Sequence, residues 1–235
     1  MLQLDPDKTW FTADLHLGHA NIIKYCDRPW WKDKSAKPTK SDVAEMNESL
    51  IANWNAVVKP DDTVLDLGDL ALHMQVGRAE ELVRRLNGKH IFVMGNHDDL
   101  ASAMHWPDLR RPFEEFEEGI LEVQVSGQNI VLCHYPLREW RGAQKGAWHL
   151  HGHVHGLLPP FGKSVDVGVD NTYEVLVPGN AGGKPPIVGP GGLIAAQALY
   201  RPLSFAEVKA FMDARSVVPH AEFGGYILPS MEVAV

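Results

Sequence analysis

A chain of 235 residues with 45% hydrophobic and 22% charged residues has ordinary globular usage and can bury a sizeable core, which excludes disordered and fibrous classes. Thirty Asp and Glu against 22 Lys and Arg give a formal net charge of −8. That balance disfavours an extended nucleic-acid or anionic-membrane footprint, which needs clustered cations.

The opening MLQLDPDKTW has charges and a proline where a secretory segment needs an apolar run. A first apolar run, residues 8–13 (KTWFTA), leads into Asp14-Leu15-His16. Residues 27–40 (DRPWWKDKSAKPTK) form a basic stretch with paired Trp30 and Trp31, either a surface loop anchored by its tryptophans or a rim that touches substrate. From residue 41 to 57, Met46, Leu50, Trp54 and Val57 recur on one helical face, and Ser41 with Asp42 supplies a start. Residues 63–67 (TVLDL) lead into Gly68-Asp69. A second helical stripe follows over 76–87, with Gly88 suited to the left-handed stop. Residues 90–94 (HIFVM) lead into Gly95-Asn96-His97-Asp98. Residues 121–125 and 130–133 flank Ser126-Gly127-Gln128-Asn129 and predict a hairpin, whose second arm ends at His134. Residues 147–151 (AWHLH) lead into Gly152-His153-Val154-His155.

The later chain holds a Gly/Pro-rich stretch at 178–192, within an insertion expected at about 176–198. The least polar late run, GGLIAAQALY, is too short to span a bilayer, and no membrane association is expected. Ser204 and Glu207 match a capping box ahead of a helix over 204–214. A single domain over 1–235 is expected. Cys26 and Cys133 are too few and too widely spaced for a disulfide framework or a zinc ribbon, so a reducing, cytoplasmic setting is expected.

Each motif alone is weak, since Asp-x-His and Gly-Asp are common turn sequences. Jointly, five polar clusters each follow a buried-type strand, and all five are expected to meet at one sheet edge. The donors offered are Asp14, His16, Asp69, Asn96, His134, His153 and His155. Imidazole and carboxylate without thiolate suit manganese, iron, zinc, cobalt or nickel. Seven donors exceed what one open catalytic ion takes and suffice for two ions that share a carboxylate. Two such cations have charge left over for a hydroxide and a phosphate, which suits phosphoester hydrolysis.

The series DLH, GD, GNHD, H and GHVH resembles the calcineurin-like metallophosphoesterase superfamily. More narrowly, FTADLHLGHANII, the helix ending ANWN and the pair LGD…GNHD are similar to a small bacterial and phage branch of predicted phosphoesterases. The likeness covers residues 9–170 and resumes at 200–204 (YRPLS).

That resemblance implies an α/β chain of the α+β type, a four-layer sandwich of two mixed β-sheets flanked by helices. It implies that Asp14, His16 and His155 bind a first metal, that Asn96, His134 and His153 bind a second, and that Asp69 bridges them. The cofactors would be two divalent transition-metal ions, manganese foremost. A hydroxide between the metals would attack phosphorus in line. His97 would serve the leaving oxygen as general acid or donor, and Asp98 would orient His97 or stabilise its charged form. His19 either touches the leaving group or starts a helix. Cys133, preceding His134 on a strand, turns the other way as a core thiol. Of four alternating histidines, which would share one face of an extended chain, His149 and His151 read as structural or hydrogen-bonding groups behind the metals.

The chain departs from the superfamily after Gly68-Asp69, where many members have an Asp and an Arg-Gly and this one reads Leu70-Ala71-Leu72-His73. Arg28, Arg138 or Arg141 would have to replace the missing phosphate-gripping arginine; otherwise all three are solvated charges. The implied function is metal-dependent hydrolysis of a small phosphomonoester or phosphodiester, with a nucleotide among the candidates. The alternatives are an end-processing nuclease and a non-catalytic scaffold of the same fold.

Overall fold

The computed structural model describes residues 1–72, 75–98, 109–110, 119–176 and 199–218. The elements begin with β1 (Leu2–Leu4), β2 (Thr9–Thr12), α1 (Ala20–Tyr25), α2 (Lys40–Val57), β3 (Thr63–Asp66), α3 (Val76–Val83) and β4 (Lys89–Phe92). They continue with β5 (Leu109–Arg110), β6 (Ile120–Val125), β7 (Gln128–Cys133), β8 (Trp148–His151), β9 (Ser164–Asp166), α4 (Thr172–Leu176), β10 (Leu203–Ser204) and α5 (Phe205–Asp213). The insertion expected at 176–198 lies outside the described residues beyond Leu176.

The strands form two mixed sheets, ordered β10-β2-β3-β4-β5 and β1-β6-β7-β8-β9. In the first, β2, β3, β4 and β5 are parallel and β10 is antiparallel to β2. In the second, the β6–β7 hairpin is antiparallel and β1, β8 and β9 join in parallel. Parallel strands are covered on both faces, which is why their sequences read as nearly continuous apolar runs. Phe11, Leu65 and Ile91 lie side by side in register and face the other sheet. They meet Val123, Leu132, Leu150 and Val165 there, and α5 closes the same core with Val208, Phe211 and Met212. One residue along, Val64 turns outward to Met46, Leu50 and Trp54 of α2 and Leu82 of α3. The outer face of the second sheet carries Val131 against Trp140, Ala143 and Ala147.

Local chemistry sets the boundaries. Helix α2 starts at Lys40, because Thr39 rather than Ser41 caps it. Thr39 Oγ1 accepts from Asp42 N at 3.2 Å and Asp42 Oδ2 accepts from Thr39 N at 2.7 Å. The box before α5 forms as read, with Ser204 Oγ accepting from Glu207 N at 3.2 Å. Helix α3 stops at Val83, short of residue 87, and the chain turns at Gly88 with φ +100°. The hairpin turn shrinks to Ser126-Gly127, with φ of 49° and 81°. Two successive positive φ values match the twist of a two-residue hairpin, so pairing begins at Gln128. Trp30 is fully buried and donates Nε1–H to Ser49 Oγ at 2.9 Å, so the basic 27–40 stretch is anchored by its tryptophan.

Candidate metal centre

The polar clusters do not meet at one sheet edge, as expected, but over the seam between two sheets. The loops after β2, β3 and β4 carry Asp14 and His16, Asp69, and Asn96 with His97. The loops after β7 and β8 carry His134, and His153 with His155. The four alternating histidines also fail to share one face. Strand β8 ends at His151, and His153 and His155 take φ of 70° and 49°.

Asp14, His16, Asp69, His153 and His155 are five of the seven non-glycine residues with positive φ among the described residues. A left-handed backbone costs an ordinary L-residue about 1–2 kcal/mol, and it persists only where surroundings enforce it. Backbone bonds do so here: Asp14 N donates to Gly68 O and His16 N to Asp69 O, each at 2.9 Å. Glycines let the loops close. A Cβ on Gly152 would collide with Asp14 Oδ2, and one on Gly168 would lie 2.8 Å from that oxygen.

The donor atoms converge. Asp69 Oδ2 lies 3.5 Å from Nε2 of both His16 and His134. Asp14 Oδ1 lies 3.9 Å from His16 Nε2 and 4.0 Å from His155 Nε2. Asn96 Oδ1 is 3.0 Å from His134 Nε2 and 2.8 Å from His153 Nδ1. Ligand atoms of Asp14, His16 and His155 lie within 4.8 Å of one another, and so do those of Asp14, Asp69 and His134.

These residues fit a cation by their unmet bonding. Asp14 Oδ1 and both ring nitrogens of His16 are buried with no hydrogen-bond partner. His134 Nδ1 lies 2.7 Å from Leu67 O, an acceptor only, so the proton sits on Nδ1. Burial lowers the His134 imidazole, and in its neutral form it turns a lone pair from Nε2 into the cluster. Burial, with Arg28 nearby, pushes the His16 imidazole down to about 2, so it too is neutral. Burial, reinforced by the Asp166 and Asp69 carboxylates, pushes the Asp14 carboxyl well up. Lone pairs and crowded carboxylates facing one another call for positive charge between them. Asp14, His16, Asp69 and His134 form the buried floor, whereas Asn96 and His97 are exposed, so the cluster opens on that side.

Other residues singled out from the sequence take varied places. His19 stands at the N-cap of α1 without a side-chain cap bond, its ring 5.5 Å from that of His16. The His97 ring lies 5.6 Å from that of His16, and the His97 backbone N–H donates to Asp69 Oδ1 at 2.8 Å. Asp98 is a correction to the expected role. Its carboxylate accepts from the backbone N–H groups of Asp69, Gly95 and Leu70 at 2.6, 2.8 and 3.2 Å, and so pins two loops together. Burial raises that carboxyl to about 6 against those bonds.

Arg28 is a second correction, being neither solvated nor turned to a substrate. It is fully buried and bonded to Asp170 and to the carbonyls of Asp14 and Leu15. Arg141 is an exposed partner of Glu122 at 2.8 Å. Arg138 is exposed and lines a cavity of about 310 Å³ with Leu137, His151, Leu158 and Phe161. His149 is internally satisfied, its Nε2 accepting from Leu137 N at 2.9 Å with Nδ1 3.1 Å from Val131 O. His151 Nδ1 lies 3.0 Å from Gly152 O. Cys133 is buried behind its strand.

Sequence reasoning missed two acids. Asp166 accepts from Gly156 N and Gly168 N at 2.8 and 2.7 Å, shaping the turns around His155. Asp170 Oδ2 lies 2.8 Å from His155 Nδ1. Burial would raise the Asp170 carboxyl, but Arg28 and His155 hold it well below the usual range. Neither acid belongs to a recognisable spacing motif, and nothing in the sequence SVDVGVD singles them out.

Imidazole and carboxylate donors gather over the seam of two mixed sheets flanked by helices, an arrangement that could hold metal ions. The chain belongs to the calcineurin-like phosphoesterase family, which matches it over residues 8–180. It is 35% identical over 171 residues to an uncharacterised protein of Methanocaldococcus jannaschii, covering 69% of this chain and 82% of that one. It is 28% identical over 196 residues to the Gene 66 protein of Mycobacterium phage D29, covering 71% and 90% of the respective chains. Its fold is shared with a protein of unknown function from Aquifex aeolicus, at a TM-score of 0.53 and 19% identity over 86% of this chain and 97% of that one. Among the described residues no helix is long and apolar enough to cross a membrane.

Proposed function

We propose that the protein hydrolyses a small phosphomonoester or phosphodiester with two divalent cations, manganese foremost. Asp14, His16 and His155 hold one ion, Asn96, His134 and His153 the other, and Asp69 lies between. The observation that carries this reading is Asp69 Oδ2 at 3.5 Å from both His16 Nε2 and His134 Nε2, one carboxylate oxygen serving two histidines. Bound divalent cations supply positive charge for phosphoryl oxygens and make water acidic enough to attack near neutral pH.

The chain's own residues supply orientation and protons. Asp69 keeps Oδ1 on the His97 amide, which fixes the backbone that presents the His97 ring to the open side. His97 hands a proton to, or hydrogen-bonds, the departing oxygen. Arg138 is the arginine left to meet an incoming phosphate. Net charge of −8 keeps the substrate small rather than a long polyanion, and we place the protein in the cytoplasm.

The test is turnover of an aryl phosphate and a bis-aryl phosphodiester with added Mn²⁺. Activity that disappears on chelation and returns with metal is expected. No hydrolysis of either ester with Mn²⁺, Fe²⁺, Zn²⁺, Co²⁺ or Ni²⁺ overturns the reading. His97→Ala is expected to retain metal and lose about 10²–10⁴ in kcat, most for alkyl leaving groups. Rates measured across a series of leaving-group acidities check this, and wild-type kcat on an alkyl phosphate would remove the assigned role.

A further inference from the structure

Resting on the two-ion reading, we infer that Arg28 and Asp170 form a buried positioning pair that organises the first-ion site, Asp14/His16/His155, and leaves the second site largely alone. Every polar arm of the Arg28 guanidinium is committed. Nη2 donates to Asp14 O at 2.7 Å and Nη1 to Leu15 O at 2.8 Å. Nε and Nη2 donate to Asp170 Oδ1 and Oδ2 at 2.9 and 2.8 Å. Side-chain exposures of 0% and 4% exclude a solvated ion pair.

The pair joins two loops from different sheets. On one side Arg28 holds the carbonyls of the turn in which Asp14 and His16 take φ of 60° and 51°. On the other, Asp170 Oδ2 accepts a hydrogen bond from His155 Nδ1–H at 2.8 Å. That bond fixes the ring's tautomer and leaves the Nε2 lone pair toward Asp14 Oδ1, 4.0 Å away. The second site is oriented mainly by other groups: His134 is held by Leu67 O, the His153 ring meets Asn96, and the one tie to the first site is the His153 backbone N–H, which donates to Asp14 Oδ2 at 2.9 Å without setting the ring. Loss of the pair therefore weakens the first ion far more than the second.

The experiment is Mn²⁺ titration of the full chain by calorimetry, with the electron-resonance spectrum as second readout. Arg28→Met with Asp170→Leu removes both charges together, since a buried pair replaced by apolar groups of similar volume commonly keeps the fold. Two ions are expected to bind wild type with a spin-coupled spectrum. The double variant is expected to keep one site and weaken the other about 10- to 100-fold, giving the six-line spectrum of isolated Mn²⁺. Should the double variant not fold, Arg28→Lys keeps the charge, loses the fork, and is expected to shift the same single site. Folded variants that bind both ions as wild type does, or lose both equally, overturn the positioning role. Wild type that binds one ion overturns the two-ion reading instead, and the change in that ion's affinity in the variants then decides the role of the pair.

Discussion

Asp69→Asn is expected to lose on the order of 10³ in kcat/KM, from several kcal/mol of charge stabilisation at tenfold per 1.36 kcal/mol. The carboxylate has two occupied faces. Oδ1 accepts from His97 N at 2.8 Å, and Oδ2 lies 3.5 Å from both His16 Nε2 and His134 Nε2. An amide can keep only one of these faces as oxygen. If its NH₂ turns to the histidines, it presents hydrogens where cations should sit; if it turns to His97, two donors collide. Metal content by elemental analysis is expected to fall together with rate. A variant within about tenfold of wild type, with full metal content, would contradict the central place given to Asp69.

Gly95→Ala is expected to cost about 10²-fold or more in kcat, the order attached to a displacement near 1 Å of reacting groups. An added Cβ would collide with Asp69 Oδ1 and lie 2.6 Å from Asp69 N and 2.8 Å from His134 Cε1. None of these atoms can step aside. Asp69 is bonded on both sides of its backbone, and His134 is tied to Leu67 O. The matching control is Gly77→Ala on α3, where nothing lies within 4 Å of the new carbon. That change is expected to leave kcat unaltered and to stabilise by up to about 1 kcal/mol in urea unfolding. Equal kinetics for the two variants would show that the loops tolerate the intrusion.

Much of this architecture was legible because short apolar runs ending in polar clusters are strongly marked. The strands at residues 9–12, 63–66, 89–92, 128–133 and 148–151 each carry such a run. Leu2–Leu4, Ser164–Asp166 and Leu203–Ser204 escaped, since two or three residues beside Pro or Gly leave no period to count. The candidate donors were visible as motifs, but the left-handed turns that gather them were not. Asp and His tolerate φ > 0 without requiring it, so the sequence TADLH permits an extended His16 as readily as the observed one. Arg28 was noticed and misread, because a guanidinium looks alike in sequence whether solvated or sealed against Asp170. Asp98 likewise neighbours His97 in the chain, yet its oxygens turn back to the amides of Asp69, Gly95 and Leu70.

The placement of the donors over the seam has a mechanical consequence. Each proposed ion would draw ligands from both halves of the sandwich: Asp14 and His16 against His155, and Asn96 against His134 and His153. A cation held in this way works as a rivet, resisting shear between layers that otherwise adhere through side chains such as Phe11, Leu65, Leu132 and Leu150. Metal supply would then govern the stiffness of the whole sandwich as well as its chemistry.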